Sequence, residues 1–306
     1  MQKQNAENNT SKFAKRIYRL ISFQYQHKKR ILKYFILRLT TRNGMLMRDV
    51  QGSKMRLSLH DRGISSDLAI DGIREPVSTK ILQQEIAQGS TIMDIGANIG
   101  YYTLMMSRLA GKNGVVYSLE PSPSNFHSLN KNIKLNGYRN IRTYQIGIGD
   151  RKGKETMQIS HKSNLDSFVL QKNRKAIGSM EINISALDDF IRNKRKPDFI
   201  KMDVEGYEYN AIKGMKAILK SKKPLKIFME IHPHIMKKEQ TLFVLGTLKN
   251  AGFETSHVTR CFTVAEMCVK NMKDYDYSSM SIKDIMQDEF IVTGTKGAFE
   301  IFFERK

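Results

Sequence analysis

Apolar residues in the middle of the chain alternate between the spacing of buried strands and that of amphipathic helices. Short apolar runs predict strands at 91–95, 115–119, 142–146, 197–202 and 225–231. Segments with helical spacing lie at 99–109, 124–135, 207–219 and 240–248. Strands alternating with helices predict an α/β fold with a mostly parallel sheet covered on both faces.

The two ends of the chain depart from this alternation. Glycines break residues 44–73 into short predicted strands, and Pro76 begins a predicted helix that ends near Ala87. Beyond the alternating region, closing strands are predicted at 254–258, 290–293 and 299–303. Residues 160–185 have weak periodicity and are a candidate substrate loop or lid.

The N-terminal part of the chain is both amphipathic and basic. Between Lys12 and Leu39, basic residues alternate with apolar ones, which predicts one or two helices. Through Arg56 there are 14 lysines and arginines against two acidic residues, so +12 of the net charge of +21 lies there. Such helices either lie on an anionic membrane surface or pack their apolar stripe on the core. We therefore divide the chain into a basic extension, 1–72, and a Rossmann-like domain, 73–306.

Cysteine content and hydropathy bear on the cellular compartment. Cys261 and Cys268 lack partners at zinc-ligand spacing, so neither a disulfide framework nor a structural metal is indicated. No run approaches the roughly 20 apolar residues of a membrane-spanning helix, and the N-terminus lacks the apolar centre of a signal peptide. We expect a cytoplasmic protein, with peripheral contact at the inner membrane surface as an additional hypothesis.

The junction at 94–100 between a predicted strand and a predicted helix reads Asp-Ile-Gly-Ala-Asn-Ile-Gly. Gly96 and Gly100 allow a sharp turn and a close backbone approach to a ligand, and the helix start offers free N–H groups. A dinucleotide site would need the G-x-G-x-x-G spacing, which is not found here. Asp94, two residues before the first glycine, suits a ligand that has an ammonium and a sulfonium but no phosphates. This pattern indicates S-adenosylmethionine as the cofactor.

Candidate contacts for the rest of this cofactor follow the next two predicted strands. Glu120 ends the second strand, where a carboxylate accepts hydrogen bonds from both ribose hydroxyls. Pro121 and Ser122 would form part of the adenine wall, and the turn from Gly147 to Asp150 is expected at the adenine edge. Each residue also has a structural alternative, namely capping, packing or a solvated strand end. Their joint spacing at successive strand ends favours the cofactor site.

Six motifs occur in order within 73–233: TIMDIGANIGYYTL, SLEPSPSNFHSLNKNIKLNG, GIGD, LDDFI, DFIKMDVEGYE and FMEIHP. Together they resemble the FkbM family of methyltransferases. The resemblance implies a class I methyltransferase Rossmann-like fold with a seven-stranded sheet, and S-adenosylmethionine as cofactor. It also implies O-methylation of a sugar, glycolipid or secondary metabolite, so the expected partner is a hydroxyl-bearing small molecule, glycan or glycolipid.

Methyl transfer to a hydroxyl is an in-line displacement that benefits from a base. Asp203 and Glu205, which follow the fourth predicted strand, are the first candidates for this base. His232, on the same face of the fifth strand as Glu230, is the alternative. The competing structural interpretations are that Asp203 orients the methionine part, Glu205 caps a helix and His232 is a hydrogen-bonded loop residue. A divalent metal held by Asp203 with Glu230 or His232 is an alternative, but no ligand spacing demands one, so none is predicted.

Tyr101 follows the glycine loop, where its ring either faces the sulfonium or packs in the core. The predicted catalytic residues are Asp203, Glu205 and His232. The predicted cofactor-binding residues are Asp94, Gly96, Ala97, Asn98, Gly100, Tyr101, Glu120, Pro121, Ser122, Gly147, Asp150 and Asp203.

Three other functions are alternatives to methylation of a small hydroxyl acceptor. The basic charge favours an RNA methyltransferase, but amino methylation of a flipped base commonly uses an Asn or Asp followed by Pro-Pro and an aromatic residue. That position here reads Asp203-Val204-Glu205-Gly206, whose acids would repel phosphates, so nucleic acid is not the expected partner.

An NAD-dependent oxidoreductase is not supported, because the third glycine of the dinucleotide-binding motif is missing. A non-catalytic protein that binds S-adenosylmethionine remains an alternative.

Overall fold

The computed structural model describes residues 24–25, 27–61, 63–160, 162–170, 176–260, 280–295 and 297–306. Predictions for residues 12–23 and for Cys261 and Cys268 lie outside the described residues. Among the described helices, none combines the length and the apolar character that crossing a bilayer requires.

The described strands belong to a hairpin, a seven-stranded sheet and a three-stranded sheet. In chain order they are β1 (Met45–Val50), β2 (Ser53–Ser58), β3 (Thr91–Ile95), β4 (Val115–Leu119), β5 (Ile141–Tyr144), β6 (Gly147–Gly149), β7 (Gly153–Ile159), β8 (Gly178–Ala186), β9 (Phe199–Met202), β10 (Leu225–Ile231), β11 (Glu254–Arg260) and β12 (Phe299–Arg305).

The helices lie mainly between these strands. They are α1 (27–40), α2 (Ile64–Asp71), α3 (Pro76–Glu85), α4 (Tyr101–Ala110), α5 (Pro123–Asn136), α6 (Leu187–Phe190), α7 (Glu208–Lys213), α8 (Lys216–Lys220) and α9 (Lys238–Asn250), followed by two short helices at Ile282–Gln287 and Glu289–Val292.

The large sheet has the strand order β11-β12-β10-β9-β3-β4-β5. β12 is antiparallel to both of its neighbours, and the other pairings are parallel. The predicted seven-stranded, mostly parallel α/β sheet is therefore confirmed. Because parallel strands end at the same edge of a sheet, the residues after β3, β4, β9 and β10 meet along one edge.

Helices cover both faces of this sheet. Side chains alternate along β3, so that Ile92 packs in one core with residues of α3 and α4, while Met93 packs in a second core with residues of α7 and α9. All five residues of β3 are buried, including the polar Thr91 and Asp94, as is typical of a central parallel strand covered on both faces. Leu57 of β2 and Leu68 of α2 lie in the first core. The second half of the predicted extension therefore packs against the Rossmann-like domain. The domain boundary at residue 72 remains a prediction.

Two segments expected to be strands are helices instead. The end of the predicted strand region 44–73 forms α2, whose start is held by Asp61, because its carboxylate accepts hydrogen bonds from the N–H groups of Gly63 and Ser65. The predicted strand at 290–293 is also wrong. Asp288 accepts hydrogen bonds from the N–H groups of Phe290 and Ile291, which starts a helical turn there.

Three further segments differ in detail from their predictions. The expected single helix at 207–219 is divided into α7 and α8 at Gly214, where an added Cβ would lie 2.0 Å from the Gly149 carbonyl oxygen. The predicted turn region after β5 contains β6. The last residues of the predicted lid, 178–185, belong to β8, which pairs with β6 and β7 in the three-stranded sheet.

Candidate active site

The loop between β3 and α4 is held against the end of β4. The N–H groups of Gly96 and Ala97 donate to the Leu119 carbonyl oxygen at 2.9 and 3.1 Å. Gly96 has a φ of 79°, and an added Cβ would lie 1.8 Å from the carbonyl oxygen of Asp203. Only glycine fits here, because both the backbone conformation and the close approach of the β9 loop exclude a side chain.

Glu120, directly after β4, connects to the same loop. Its Oε2 accepts a hydrogen bond from the Asn98 N–H at 2.7 Å, and its Oε1 accepts one from the Ser122 N–H at 2.9 Å. Burial raises the pKa of Glu120 to about 7, although the two backbone hydrogen bonds favour the charged form. The carboxyl group therefore changes its charge close to physiological pH.

A cleft opens beside the loop and Glu120. Seven of the predicted site residues line it: Gly96, Asn98, Glu120, Pro121, Gly147, Asp203 and Glu205. Asn164, Asp166 and Phe168 line it as well, so the described part of the predicted substrate loop borders the cleft. The structure thus brings together the ends of β3, β4 and β9 and the start of β6.

The remaining predicted cofactor residues do not line the cleft. Asp94 is fully buried and accepts a hydrogen bond from Thr103. The Tyr101 hydroxyl pairs with Thr79 Oγ1 at 2.9 Å, and burial raises the pKa of Tyr101 to about 12. Asp150 forms ion pairs with Arg151 and Lys213 instead. Ala97, Gly100 and Ser122 are buried in the adjoining loops.

Lys201, on β9, links residues that the sequence analysis treated separately. Its Nζ donates to the Gly96 carbonyl oxygen at 3.0 Å and lies 3.7 Å from Asp94 Oδ1 and 3.7 Å from Asp203 Oδ2. The side chain is only 4% exposed. Lys201 was not among the predicted site residues. The lysine within the apolar strand FIKM was nevertheless a visible signal, because a buried ammonium needs anionic partners.

His232, directly after β10, is surrounded by carboxylates. Its Nδ1 lies 2.7 Å from Glu208 Oε1, and its Nε2 lies 3.3 Å from Glu230 and 3.9 Å from Glu205. Burial alone would lower the pKa of His232, but Glu230, Glu208 and Glu205 outweigh it and hold that pKa well above the usual value. These carboxylates therefore favour the imidazolium form of His232, which has no free nitrogen lone pair to accept a proton. Glu208 was not among the predicted site residues.

Asp203 lies where the cleft meets this carboxylate cluster. Its Oδ1 is buried and has no hydrogen-bond partner among the described residues. Burial raises the pKa of Asp203 and the charge of Glu230 raises it further, while Lys201, His232 and Arg74 oppose the shift. Arg74, in the connection between α2 and α3, is a second cation that the sequence analysis missed. A carboxyl group with a raised pKa is well suited to accept a proton near neutral pH.

The same cluster contains a set of donors that could hold a metal. One ligand atom each from Asp203, Glu205 and His232 lie within 4.8 Å of one another. Carboxylate and imidazole donors suit several divalent cations. However, two basic side chains already lie beside these carboxylates, since His232 Nε2 is 3.9 Å from Glu205 and Lys201 Nζ is 3.7 Å from Asp203. The charge of the cluster is thus partly compensated by the chain itself.

Comparisons with known proteins agree with the motifs. A sequence model of the methyltransferase FkbM domain matches residues 94–255. Methyltransferase 1 of Beauveria bassiana is 26% identical over 146 residues, which cover 41% of this chain and 58% of that protein. The hexuronic acid methyltransferase AglP of Haloferax volcanii is 26% identical over 164 residues, covering 53% of this chain and 64% of that protein. In both cases the match spans less than two thirds of the relative.

The fold also resembles solved structures. A crystal structure of the methyltransferase FkbM from Methylobacillus flagellatus is similar over 69% of this chain and 43% of that chain, with 17% sequence identity and a TM-score of 0.40.

Proposed function

The chain belongs to the FkbM family of methyltransferases, and from this premise we propose that it transfers the methyl group of S-adenosylmethionine to a hydroxyl of a sugar-containing acceptor. The observation that carries the proposal is that Glu120 and Asp203 line one cleft beside the Gly96 loop. The carboxylate of Glu120 suits a ribose, and the carboxylate of Asp203 suits the reacting end of the cofactor.

In this proposal, different parts of the cofactor lie beside the ends of different strands. The carboxylate of Glu120 would accept hydrogen bonds from the ribose hydroxyls. Pro121 and Gly147 border the part of the cleft beside Glu120 and would contact the adenine. Asp203 and Glu205 would lie at the methionine and sulfonium end, where negative charge favours both cationic groups. Asp94 and Lys201 would act indirectly, by fixing the loop and Asp203.

Asp203 is our proposed base for the acceptor hydroxyl. Its raised pKa and its position on the cleft support this role, whereas the imidazolium of His232 argues against His232 as the base. His232 would instead position Glu205 and Glu230 by its charge. When S-adenosylmethionine is bound it supplies the electrophilic methyl group, and the chain holds the acceptor in line with it and receives the proton.

The proposal of a sugar acceptor is based on a relative of this chain. The name of AglP describes a hexuronic acid methyltransferase, so glycosides of hexuronic acids are the first acceptors to test. An RNA acceptor is less well supported, because four carboxylates line the cleft, those of Glu120, Asp166, Asp203 and Glu205, and they would repel phosphates. A non-catalytic protein that binds S-adenosylmethionine would bind the cofactor without turning over any acceptor.

Calorimetric titration of the full chain tests the cofactor first. We expect S-adenosylmethionine to bind and NAD not to bind. Glu120→Ala should weaken S-adenosylmethionine binding at least about tenfold, since it removes a charged hydrogen-bond acceptor. Glu181→Ala, an exposed carboxylate on β8, is the matched control and should bind like wild type. A folded protein that binds no S-adenosylmethionine, or an E120A variant that binds equally well, contradicts the proposed site.

Methyl transfer from radiolabelled cofactor to hexuronic acid and neutral hexose glycosides tests the acceptor. We expect Asp203→Asn to lower kcat by about 10²- to 10⁴-fold, the usual contribution of a general base. Cofactor binding without transfer to any hydroxyl acceptor would favour the non-catalytic alternative. Transfer to RNA but not to glycosides would favour the RNA alternative.

A further inference from the structure

Helix α1 is fixed to the domain by one of its faces. The Arg30 guanidinium forms ion pairs with Asp67, at 2.9 Å, and with Asp71. The Tyr34 hydroxyl donates to the Leu59 carbonyl oxygen at 2.7 Å, and Leu37 packs against the core below. Because residues 30, 34 and 37 lie on one side of a helix, these contacts determine which side of α1 faces away from the domain.

The outward side of α1 is apolar. Ile31, Leu32, Phe35, Ile36 and Leu39 are between 43% and 85% exposed, and their spacing places them in one stripe along the helix. Tyr25, which precedes α1, is 63% exposed as well. Contiguous apolar surface of this kind is uncommon on a protein without a partner and marks an interaction site.

The charged residues of α1 itself are all basic. Residues 27–40 contain no Asp or Glu. Lys28, Lys29 and Arg38 are exposed, and helical geometry places Lys29 and Arg38 on opposite sides of the stripe, with Lys28 at its N-terminal end. An apolar stripe with basic residues along its borders is complementary to an anionic lipid surface, where the apolar side chains enter the acyl region and the basic groups meet the headgroups.

We propose that α1 lies in the plane of an anionic membrane, with the stripe of Ile31, Leu32, Phe35, Ile36 and Leu39 inserted below the headgroups. A helix of 14 residues is about 21 Å long, so it lies along the interface and does not cross it. The contacts of Arg30 and Tyr34 then hold the domain at the membrane. This surface is separate from the proposed methyltransferase site and does not depend on it.

Vesicle flotation of the full chain tests the proposal. We expect the wild type to float with vesicles of phosphatidylcholine and phosphatidylglycerol, to float much less with phosphatidylcholine alone, and to be released by high salt. Leu32→Glu combined with Phe35→Glu should reduce binding to the anionic vesicles at least about tenfold. Leu135→Glu combined with Phe290→Glu makes the same charge change at exposed positions outside α1 and should bind like wild type.

Unaltered unfolding temperature and unaltered S-adenosylmethionine binding would show that the α1 variant remains folded. Equal flotation of wild type and the α1 variant would overturn the proposal, and so would equal binding to neutral and anionic vesicles. Absence of vesicle binding together with a wild-type dimer that the α1 variant dissociates would also overturn it, because the stripe would then contact a second copy of the chain.

Discussion

The backbone N–H of Asn98 donates to Glu120 Oε2 at 2.7 Å, which joins the glycine loop after β3 to the end of β4. The loop and the carboxylate therefore form one unit, although they belong to different strands. A change in the charge of Glu120 acts on the loop as well as on a ligand in the cleft.

The affinity for S-adenosylmethionine should depend on pH through Glu120. Its pKa of about 7 means that the carboxylate that would accept the ribose hydrogen bonds predominates at pH 8 and is scarce at pH 6. We expect Kd to rise about tenfold from pH 8 to pH 6, in proportion to the loss of the charged form. Calorimetry across this range measures the change. Glu120→Gln should bind more weakly and without this pH dependence, and a flat wild-type profile would argue against the assignment.

Gly96→Ala should destabilise the protein strongly. The new Cβ would lie 1.8 Å from the Asp203 carbonyl oxygen, and the φ of 79° adds strain. We expect a loss of about 3 kcal/mol or more in the free energy of unfolding, measured by urea denaturation. Gly89→Ala is a matched control, since Gly89 has a φ of 80° and no atom within 4 Å of an added Cβ. It should cost only about 1 kcal/mol. Equal losses in the two variants would show that the close approach to Asp203 does not matter.

Lys201→Met should leave two carboxylates without their buried cation. Asp94 and Asp203 both lie 3.7 Å from the Lys201 Nζ, and removing one partner from a buried pair typically costs about 3–5 kcal/mol. Lys226→Met on the neighbouring strand β10 is the control. Lys226 pairs with Glu85 at 2.6 Å on a partly exposed surface, so its loss should cost about 1 kcal/mol or less. Comparable denaturation curves for the two variants would be inconsistent with a buried network at Lys201.

His232 should titrate well above the usual histidine pKa. NMR of the ¹⁵N-labelled imidazole measures this directly, and Glu208→Gln should lower the pKa by removing the carboxylate 2.7 Å from Nδ1. Because the folded pKa is raised, the resulting stabilisation is fully present below the unfolded value of about 6.5 and is lost as the pH rises through the folded value. Glu289→Gln, in the short helix Glu289–Val292, should leave the titration unchanged. A His232 pKa at or below 6.5 would return His232 to the list of candidate bases.

Chelation should leave methyl transfer unchanged. His232 and Lys201 already provide positive charge beside Glu205 and Asp203, so the cluster does not require a divalent ion. Activity before and after EDTA, followed by addition of Mg²⁺ or Mn²⁺, provides the measurement. Loss of activity with EDTA and recovery with either ion would instead assign a metal to Asp203, Glu205 and His232, whose ligand atoms lie within 4.8 Å of one another.

Sequence alone determined the alternation of strands and helices and the glycine loop with Glu120. These features are local: a buried parallel strand needs a continuous apolar run, and a tight turn before a helix needs glycine. The strand at 91–95 and the strand at 115–119 have the predicted bounds. Short helices with weak periodicity, such as Glu289–Val292, were not recognised because their stability comes from a cap and from packing.

Tertiary structure decided which side chains meet. Strand order places β9 between β3 and β10, so Asp203 lies against Gly96 on one side and within reach of the His232 cluster on the other. The partners of Lys201 and His232 come from distant parts of the chain, and their protonation depends on burial that no local pattern encodes. Likewise, the sequence did not determine whether the apolar stripe of α1 packs on the domain or faces away from it. The contacts of Arg30 and Tyr34 hold the opposite face of α1 against the domain, so the apolar stripe faces outward, because a helix packs only one face against a single neighbour.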